Sequence, residues 1–405
     1  MLLALDIGTT SITARVLSES GCCLLEKQVL NPQIQFGCDV LRRIDAALHG
    51  ESEKLQKVLV DGINNLVITL LEEAQIRPDL ISAFAAAANP AVSILIQNKS
   101  VNSILTPPYK PIDCSAIMMK PDEIGLDLPV PLYLFPLVNG FVGGDLVAFL
   151  FGQDMPNENT LYIDIGTNGE IALFSNGNWW VTSVAAGPAF EGGDIRAGML
   201  YGSGAIYGCR LNNERFDYEV VGDIPPRGIC GSGLVEIIAT SLESGLIDRH
   251  GSIVEPEHVK TNLSRYIVSL DGNLALQLYR DAKTSILLEQ KDIRNFQLAK
   301  AAVFSGVNCL LKKAEIEAGE IADIVITGAF GFSLTKKTLK RVAMLPENMI
   351  DKVRFEPGGV LQGVQRMLML DDGPERVENL AKKLKPYPLS GTPAFEKAFL
   401  SAIDF

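Results

Sequence analysis

The sequence predicts an α/β chain built twice over, with two similar lobes in tandem. Three observations predict it. The segment Asp6-Ile7-Gly8-Thr9-Thr10 follows the apolar run Leu2-Leu3-Ala4-Leu5, and Asp164-Ile165-Gly166-Thr167-Asn168 follows Leu161-Tyr162-Ile163, 158 positions later. The same series of elements, a strand meander, a long helix and a buried strand, follows each copy. The chain has 405 residues, more than one core of usual size encloses.

The elements follow from periodicity. Residues 2–5 read as a buried strand, residues 11–17 alternate as a second, and Ser20-Gly21 turns into a third over 22–29. Residues 39–47 read as a short helix. Residues 55–74 carry apolar side chains at helical spacing and predict a long helix. Residues 81–88 read as a buried strand, 99–130 as Pro-rich and irregular, 132–136 as a short strand and 142–151 as a helix. The second half repeats the order. Strands are expected over 161–164, 170–174 and 179–183, where Trp179-Trp180 reads as a packed pair. A Gly-rich insertion follows over 189–204 and a helix over 233–244. A hairpin is expected around Asp271-Gly272, a long helix over 292–319, a strand over 324–327 and a closing helix over 358–370. Residues 371–393 read as a polar surface crossing, and 395–403 as a last amphipathic turn or two. The expected division is 1–155 for the first lobe, 156–370 for the second, and 371–405 for the C-terminal crossing and short helix.

Composition excludes several classes. The chain is 47% hydrophobic and 21% charged, with a net charge of −12, and no basic stretch is long enough to track a nucleic acid backbone. No basic segment precedes an apolar one at the start, so no signal peptide is expected. The most apolar stretch, 129–151, is broken by Pro136, Gly140, Gly143, Gly144 and Asp145, so no membrane span is expected. The acidity suits a cytoplasmic protein. The seven cysteines, Cys22, Cys23, Cys38, Cys114, Cys209, Cys230 and Cys309, contain no C-x-x-C pair, so no iron–sulfur cluster is expected. The three histidines, His49, His250 and His258, are not spaced to share a metal.

The repeated motif carries chemistry. A strand entering a tight turn of Asp, Gly and hydroxyls suits the phosphate tail of a nucleotide. Gly8 and Gly166 let the backbone approach, while N–H groups with Thr9, Thr10, Thr167 and Asn168 donate to phosphate oxygens. Asp6 and Asp164 hold Mg²⁺ through water. A single copy reads equally as an ordinary Asp-Gly turn; two copies predict two lobes gripping one nucleotide in a cleft between them. Gly228-Ile229-Cys230-Gly231-Ser232-Gly233 precedes a helix. It reads as a nucleotide contact through Gly231, Ser232 and Gly233, as a plain helix start, or as the seat of a cluster or redox cysteine. Residues 185–193 are small and flexible, and Glu191 there reads either as a further metal or ribose ligand or as a cap for the following turn.

The order of these motifs is similar to that of the superfamily of acetate kinase, sugar kinases, heat-shock chaperone ATPases and actin. The resemblance implies an actin-like (ribonuclease H-like) two-lobe ATPase fold. It places the two phosphate loops at Asp6–Thr10 and Asp164–Asn168, an adenosine loop at Gly328, Ala329, Phe330 and Gly331, which taken alone reads equally as a plain strand–helix turn, and connecting helices over 140–151 and 358–370. The superfamily sets a polar group at the start of the first connecting helix. Asp145 there is a candidate to orient the attacking water, with Asp6 and Asp164 beside it as catalytic acids, or else an N-cap carboxylate. No acceptor pocket of a sugar or acetate kinase is readable.

Further segments resemble one family, the reductive activators of corrinoid proteins, also called corrinoid activation enzymes. They are Asn31-Pro32-Gln33, Gly37-Cys38-Asp39-Val40 and Arg43-Ile44, then Gly140-Phe141-Val142-Gly143-Gly144-Asp145 and Asp164 to Glu170. Residues 185–193 and 228–233 follow, then Asp292-Ile293-Arg294, Gln297-Leu298-Ala299-Lys300 and Phe395-Glu396-Lys397-Ala398-Phe399. The resemblance implies ATP and Mg²⁺ as cofactors and a corrinoid protein as partner. Nucleotide-driven lobe closure would accompany return of its cobalt from Co(II) to Co(I). No iron–sulfur module is read in the chain, so the electron would come from a separate ferredoxin-like donor. The chain departs from the family pattern at Gly328-Ala329-Phe330-Gly331, at Ala88-Asn89-Pro90-Ala91 and at Phe355-Glu356-Pro357-Gly358-Gly359. Two further readings stand beside this one. One is a dimeric iron–sulfur ATPase activator of the 2-hydroxyacyl-CoA dehydratase type, for which Cys230 with Cys209 is the candidate pair. The other is a non-hydrolysing nucleotide-binding scaffold. A homodimer is left open.

Overall fold

The computed structural model describes residues 1–106, 109–222, 224–328 and 334–405. The first sheet forms from β1 (Leu2–Ile7), β2 (Ser11–Leu17), β3 (Cys23–Leu30), β4 (Ala83–Ala88), β5 (Ile117–Met119) and β6 (Leu132–Leu134), in the order β3-β2-β1-β4-β6-β5. β1 pairs antiparallel with β2 and parallel with β4, so Ile7 lies across from both Ile12 and Ala88. β1 is central and almost wholly buried, which is why its sequence is an unbroken apolar run up to Asp6.

The second sheet repeats the plan with β7 (Thr160–Ile165), β8 (Gly169–Ser175), β9 (Asn178–Val184), β16 (Asp323–Gly328), β17 (Val353–Phe355) and β18 (Leu384–Pro386). Its order is β17-β16-β7-β8-β9-β18. In both sheets the meander's first strand is central. The strand that returns after the long helix pairs parallel beside it: β4 after Ser52–Glu73, and β16 after Gln290–Ala314. Two smaller sheets are inserted in the second half. One is β10 (Ala205–Asn212), β11 (Arg215–Val220) and β12 (Gly228–Ile229), and the other is β13 (Ile267–Leu270), β14 (Asn273–Arg280) and β15 (Ser285–Glu289).

Packing divides the chain into two compact units. One comprises 1–157, 172–182 and 358–387, and the other 158–171, 183–357 and 388–405. The core of the first unit sets Leu3, Leu5, Ile7, Ala14 and Val16 of the sheet against Leu59, Ile63, Leu66 and Leu70 of the long helix. These helix residues recur at i, i+4, i+7 and i+11, the stripe that the periodicity predicted. In the second unit Phe296 meets Phe190 edge to face with ring centres 5.7 Å apart, and Gly306 leaves room for Ile171 and Val184.

Three expectations change. Residues 371–393 are not a bare crossing: they hold the helix Gly373–Ala381 and the edge strand β18, whose Leu384 pairs with Trp179. Charge on the outer helix face masked the buried Val377, Ala381 and Leu384, and Pro386 is tolerated because the strand is at an edge. The long helix ends at Ala314 rather than 319, where Glu315 turns left-handed at φ 58°. The stretch 99–130 is irregular in the main, yet Ile117–Met119 adds a strand to the first sheet. Trp179 is buried against Phe174 with ring centres 5.1 Å apart, whereas Trp180 is half-buried with Lys385 Nζ 5.3 Å from its ring centre.

Within the first unit the helices Gly144–Gly152 and Gly359–Leu368 touch backbone to backbone. A Cβ on Gly363 would lie 1.6 Å from the Ala148 carbonyl oxygen, and one on Gly152 would lie 2.9 Å from the Gly363 nitrogen. Only hydrogen fits there. Gly363→Val is therefore expected to lower stability by about 3 kcal/mol, read as a fall in the urea midpoint; an unchanged midpoint would refute the close contact.

Candidate nucleotide site

The first loop sits where β1 ends. Gly8 turns the chain tightly, because a Cβ there would be 3.0 Å from the Ser11 carbonyl oxygen. Two asparagines fasten the turn. Asn31 is fully buried; its N–H donates to the Thr10 carbonyl at 2.8 Å and its Nδ2 to the Gly8 carbonyl at 2.8 Å. Asn89, also buried, donates from Nδ2 to the Thr9 hydroxyl at 3.1 Å. Both asparagines cap a turn of helix that begins with proline. Asn31 Oδ1 accepts from Gln33 N at 3.0 Å, and Asn89 Oδ1 accepts from Val92 N at 3.0 Å.

Asp145 belongs to the same neighbourhood. A Cβ on Gly143 would lie 2.7 Å from each of the Ala88 carbonyl oxygen, the Asn89 Cα and an Asp145 carboxylate oxygen. The start of the helix Gly144–Gly152 is thus pressed against Asn89, the residue that holds Thr9. The N-cap of this helix is Gly143, and Asp145 lies inside its first turn with Oδ1 accepting from Leu146 N at 2.8 Å. Burial pushes the Asp145 carboxyl up to about 6, against the pull of the backbone N–H groups it accepts from. Asn139 shapes the preceding turn, accepting from Phe141 N and Val142 N at 3.0 and 2.7 Å.

The second loop is built differently. β7 carries Asp164 into the Gly166-Thr167-Asn168 turn, which is closed by Gly166 N to the Asn168 carbonyl and by Gly187 N to the Thr167 carbonyl, both 2.9 Å. The Thr167 hydroxyl donates to Glu191, which ends the 3-10 turn Pro188–Glu191. Phe190, fully buried against Phe296, anchors that turn. Gly328 lies against the same loop. Its φ is +92°, and a Cβ would be 2.2 Å from the Ile165 carbonyl oxygen and 2.6 Å from Asp164 Oδ1. Any side chain there would push on Asp164.

The structure therefore gathers Asp6, Gly8, Thr9, Thr10 and Asp145 into one neighbourhood of the first unit. It gathers Asp164, Gly166, Thr167, Asn168, Glu191 and Gly328 into one neighbourhood of the second. Ala329, Phe330 and Gly331 of the expected adenosine loop lie outside the described residues. Gly231, Ser232 and Gly233 open the helix Gly231–Glu243 in a buried setting: a Cβ on Gly231 would strike the Phe190 carbonyl at 1.7 Å, and one on Gly233 the Ile206 carbonyl at 2.0 Å. The Cys230 thiol is buried, 3.2 Å from the Ile206 carbonyl and 3.3 Å from the Ser232 hydroxyl. In each unit the strand-end carboxylate and the hydroxyls near it are hard oxygen groups of the kind a hydrated Mg²⁺ takes, and the backbone N–H groups of the turn suit phosphate oxygens. The glycine turns leave the space that a phosphate chain needs.

Sequence reasoning gave Asn31, Asn89 and Asn139 no role. The dipeptides Asn31-Pro32 and Asn89-Pro90 were the available signal, since Asn before Pro marks a cap. Other motif residues have structural duties. Asp292 accepts from Arg196 N and Glu289 N at 3.0 and 2.8 Å. Arg294 and Gln297 donate to the His250 carbonyl, and Lys300 donates to that of Asp404, so this run holds the segment Ile403–Phe405 in place.

The comparisons bear on this arrangement. The model of the RACo middle region matches residues 1–158, and that of the C-terminal domain of RACo, its ASKHA domain, matches residues 158–405. The chain belongs to the RACo family. Its fold is the actin-like ASKHA fold, duplicated as the two sheets show. A corrinoid activation enzyme of Eubacterium limosum, RamQ, is 32% identical over 91% of this chain and 64% of its own length. A reductase of Methanosarcina barkeri that acts on a Co(II) methylated amine-specific corrinoid protein is 22% identical over 94% of this chain and 72% of its own. A solved reductive activator for a corrinoid, iron–sulfur protein superposes with a TM-score of 0.92 at 31% identity, over 99% of this chain and 65% of that one. The chain thus spans about two thirds of the length of these RACo relatives. Among the described residues no helix is long and apolar enough to cross a membrane.

Asn31→Asp keeps the cap but cannot donate to the Gly8 carbonyl. It is expected to cost about 2 kcal/mol in urea unfolding; an unchanged unfolding midpoint would show that the Gly8 bond is unimportant.

Proposed function

We propose that this RACo-family chain binds and hydrolyses Mg-ATP to drive reductive activation of a corrinoid protein. The cobalt of that protein is returned from Co(II) to Co(I) by one electron from a separate ferredoxin-like donor, in the cytoplasm. The observation that carries the reading is the repeated Asp-Ile-Gly-Thr loop at the end of the central strand of two like-ordered sheets. The names of the relatives support the corrinoid partner.

Asp6 and Asp164 would hold the Mg²⁺. Thr9, Thr10, Asn168 and the N–H groups of both turns, that of Thr167 among them, bind the phosphates, while the Thr167 hydroxyl donates to Glu191 and so ties the second loop to it. Gly328, whose lack of a side chain leaves its backbone open, lies along the adenosine. Gly231, Ser232 and Gly233 set the helix start that supports Phe190 and Glu191. When bound there, the cation would supply neutralisation of the phosphate charge. In hydrolysis the oxygen of a water forms a bond to the γ-phosphorus, the bond from that phosphorus to the β-phosphate oxygen breaks, and ADP leaves. Asp145 orients this water and accepts its proton.

Asp164→Ala is expected to lower ATP turnover by about 100-fold or more with the melting temperature retained; full activity in that variant would refute the assignment of the cation to the strand ends. Asp145 must be ionised to accept a proton. Its group is neutral below about 6, so kcat/KM for ATP is expected to rise with pH through that value and then level. Asp145→Asn is expected to lose about 100-fold at neutral pH and to lack that rise; a parent profile without the rise, or one that Asp145→Asn shares, would assign the proton elsewhere.

A further inference from the structure

Hydrogen-bond direction at the first loop goes one step beyond the assignment of ATP. A backbone N–H can only donate. The N–H of Val92 points at the Asn89 side chain at 3.0 Å, so the atom facing it must be the amide oxygen. The other end of the amide, Nδ2, is then the atom facing Thr9 Oγ1 at 3.1 Å, and it can only donate. Thr9 is consequently the acceptor in that contact, and its own hydrogen has no acceptor among the described residues. Thr9 and Asn89 are both buried, and Gly143 is packed against the Asn89 Cα, so the amide has no room to turn over. We propose that Asn89 is a positioning residue of the phosphate loop: capped by Val92, it donates to Thr9 and leaves the Thr9 O–H to donate to a phosphate oxygen of ATP.

The strand register makes this arrangement. Ala88 ends β4 beside Ile7 of β1, so the residues after each strand, Asn89 and Gly8-Thr9, emerge side by side. Asn31 uses the same device on the neighbouring carbonyl. Its oxygen caps Gln33 N and its nitrogen holds Gly8, so both atoms that fix the loop's shape are held by amides whose orientation a helix start dictates. At Gly8 the held group is a carbonyl, which can only accept. At Thr9 it is a hydroxyl, which can do either, and there the direction of the bond has a functional consequence.

The inference rests on the ATP reading and is tested with the full chain, Mg-ATP titrated calorimetrically. Asn89→Asp keeps an oxygen for the Val92 cap, and its second oxygen can only accept, which reverses the bond and takes the Thr9 hydrogen. The variant is expected to melt within about 2 °C of the parent and to bind Mg-ATP about 10- to 100-fold more weakly. A carboxylate also repels phosphate directly, so the decisive measurement is the same substitution in a Thr9→Ala background. There the reversal has nothing left to remove, and the further loss is expected to be under about 3-fold. Asn89→Ser caps without charge and covers the case in which Asn89→Asp fails to fold: its loss of about 3-fold in the parent is expected to vanish with Thr9→Ala. Equal losses in both backgrounds, or undiminished binding by Asn89→Asp, would overturn the role of Asn89 while leaving the ATP reading intact. A parent chain that takes up no Mg-ATP would remove both.

Discussion

The first loop depends on a simple asymmetry: a main-chain N–H donates and never accepts. Two asparagines each stand before a proline at the start of a helical turn, and in each the cap claims the amide oxygen. The amide nitrogens are then aimed without freedom, one at the Gly8 carbonyl and one at the Thr9 hydroxyl. Each end of these side chains is satisfied inside a buried environment, where an unmet polar group costs about 1–3 kcal/mol. The loop is therefore held in one shape by contacts that lie far apart in sequence, at residues 31 and 89.

The second loop reaches a similar strand-and-turn form by other means. Carbonyls of its own turn accept from Gly166 and Gly187, and a carboxylate, Glu191, takes the Thr167 hydroxyl hydrogen. The direction is the reverse of that at Thr9. Duplication of the fold has kept the strand order and the Asp-Ile-Gly-Thr sequence but not the support around each threonine. A hydroxyl that gives its hydrogen to a carboxylate presents lone pairs to a ligand, whereas one that accepts from an amide presents a hydrogen. The two loops are thus chemically distinct despite their common motif.

Glycines place these loops against the rest of their units. At Gly143, Gly328 and Gly231 a single carbon atom would collide with Asn89, with Asp164 and with the Phe190 carbonyl respectively. Each contact ties a remote stretch of chain to a loop residue: the start of a connecting helix to Asn89, the end of β16 to Asp164, and the helix Gly231–Glu243 to the turn bearing Glu191. The cost of glycine in flexibility is met by close approach that no other residue allows.

Much of this was legible in the sequence. Period-2 and period-3.6 patterns disclosed the meanders and both long helices, and the repeat of Asp-Ile-Gly-Thr disclosed the duplication and the residues at the two strand ends. These signals are local, so one stretch of chain contains them whole. The edge strand β18 escaped because a charged helix face precedes it and only three residues pair. Asn31, Asn89 and the placement of Asp145 beside Asn89 escaped for a deeper reason. Composition set which atoms could donate or accept, but parallel pairing of β1 with β4 brought residue 89 beside residue 9, and burial removed the water that would otherwise have met those groups. Hydrogen-bond capacity belongs to the sequence; the direction in which each bond runs was decided only when packing chose the partners.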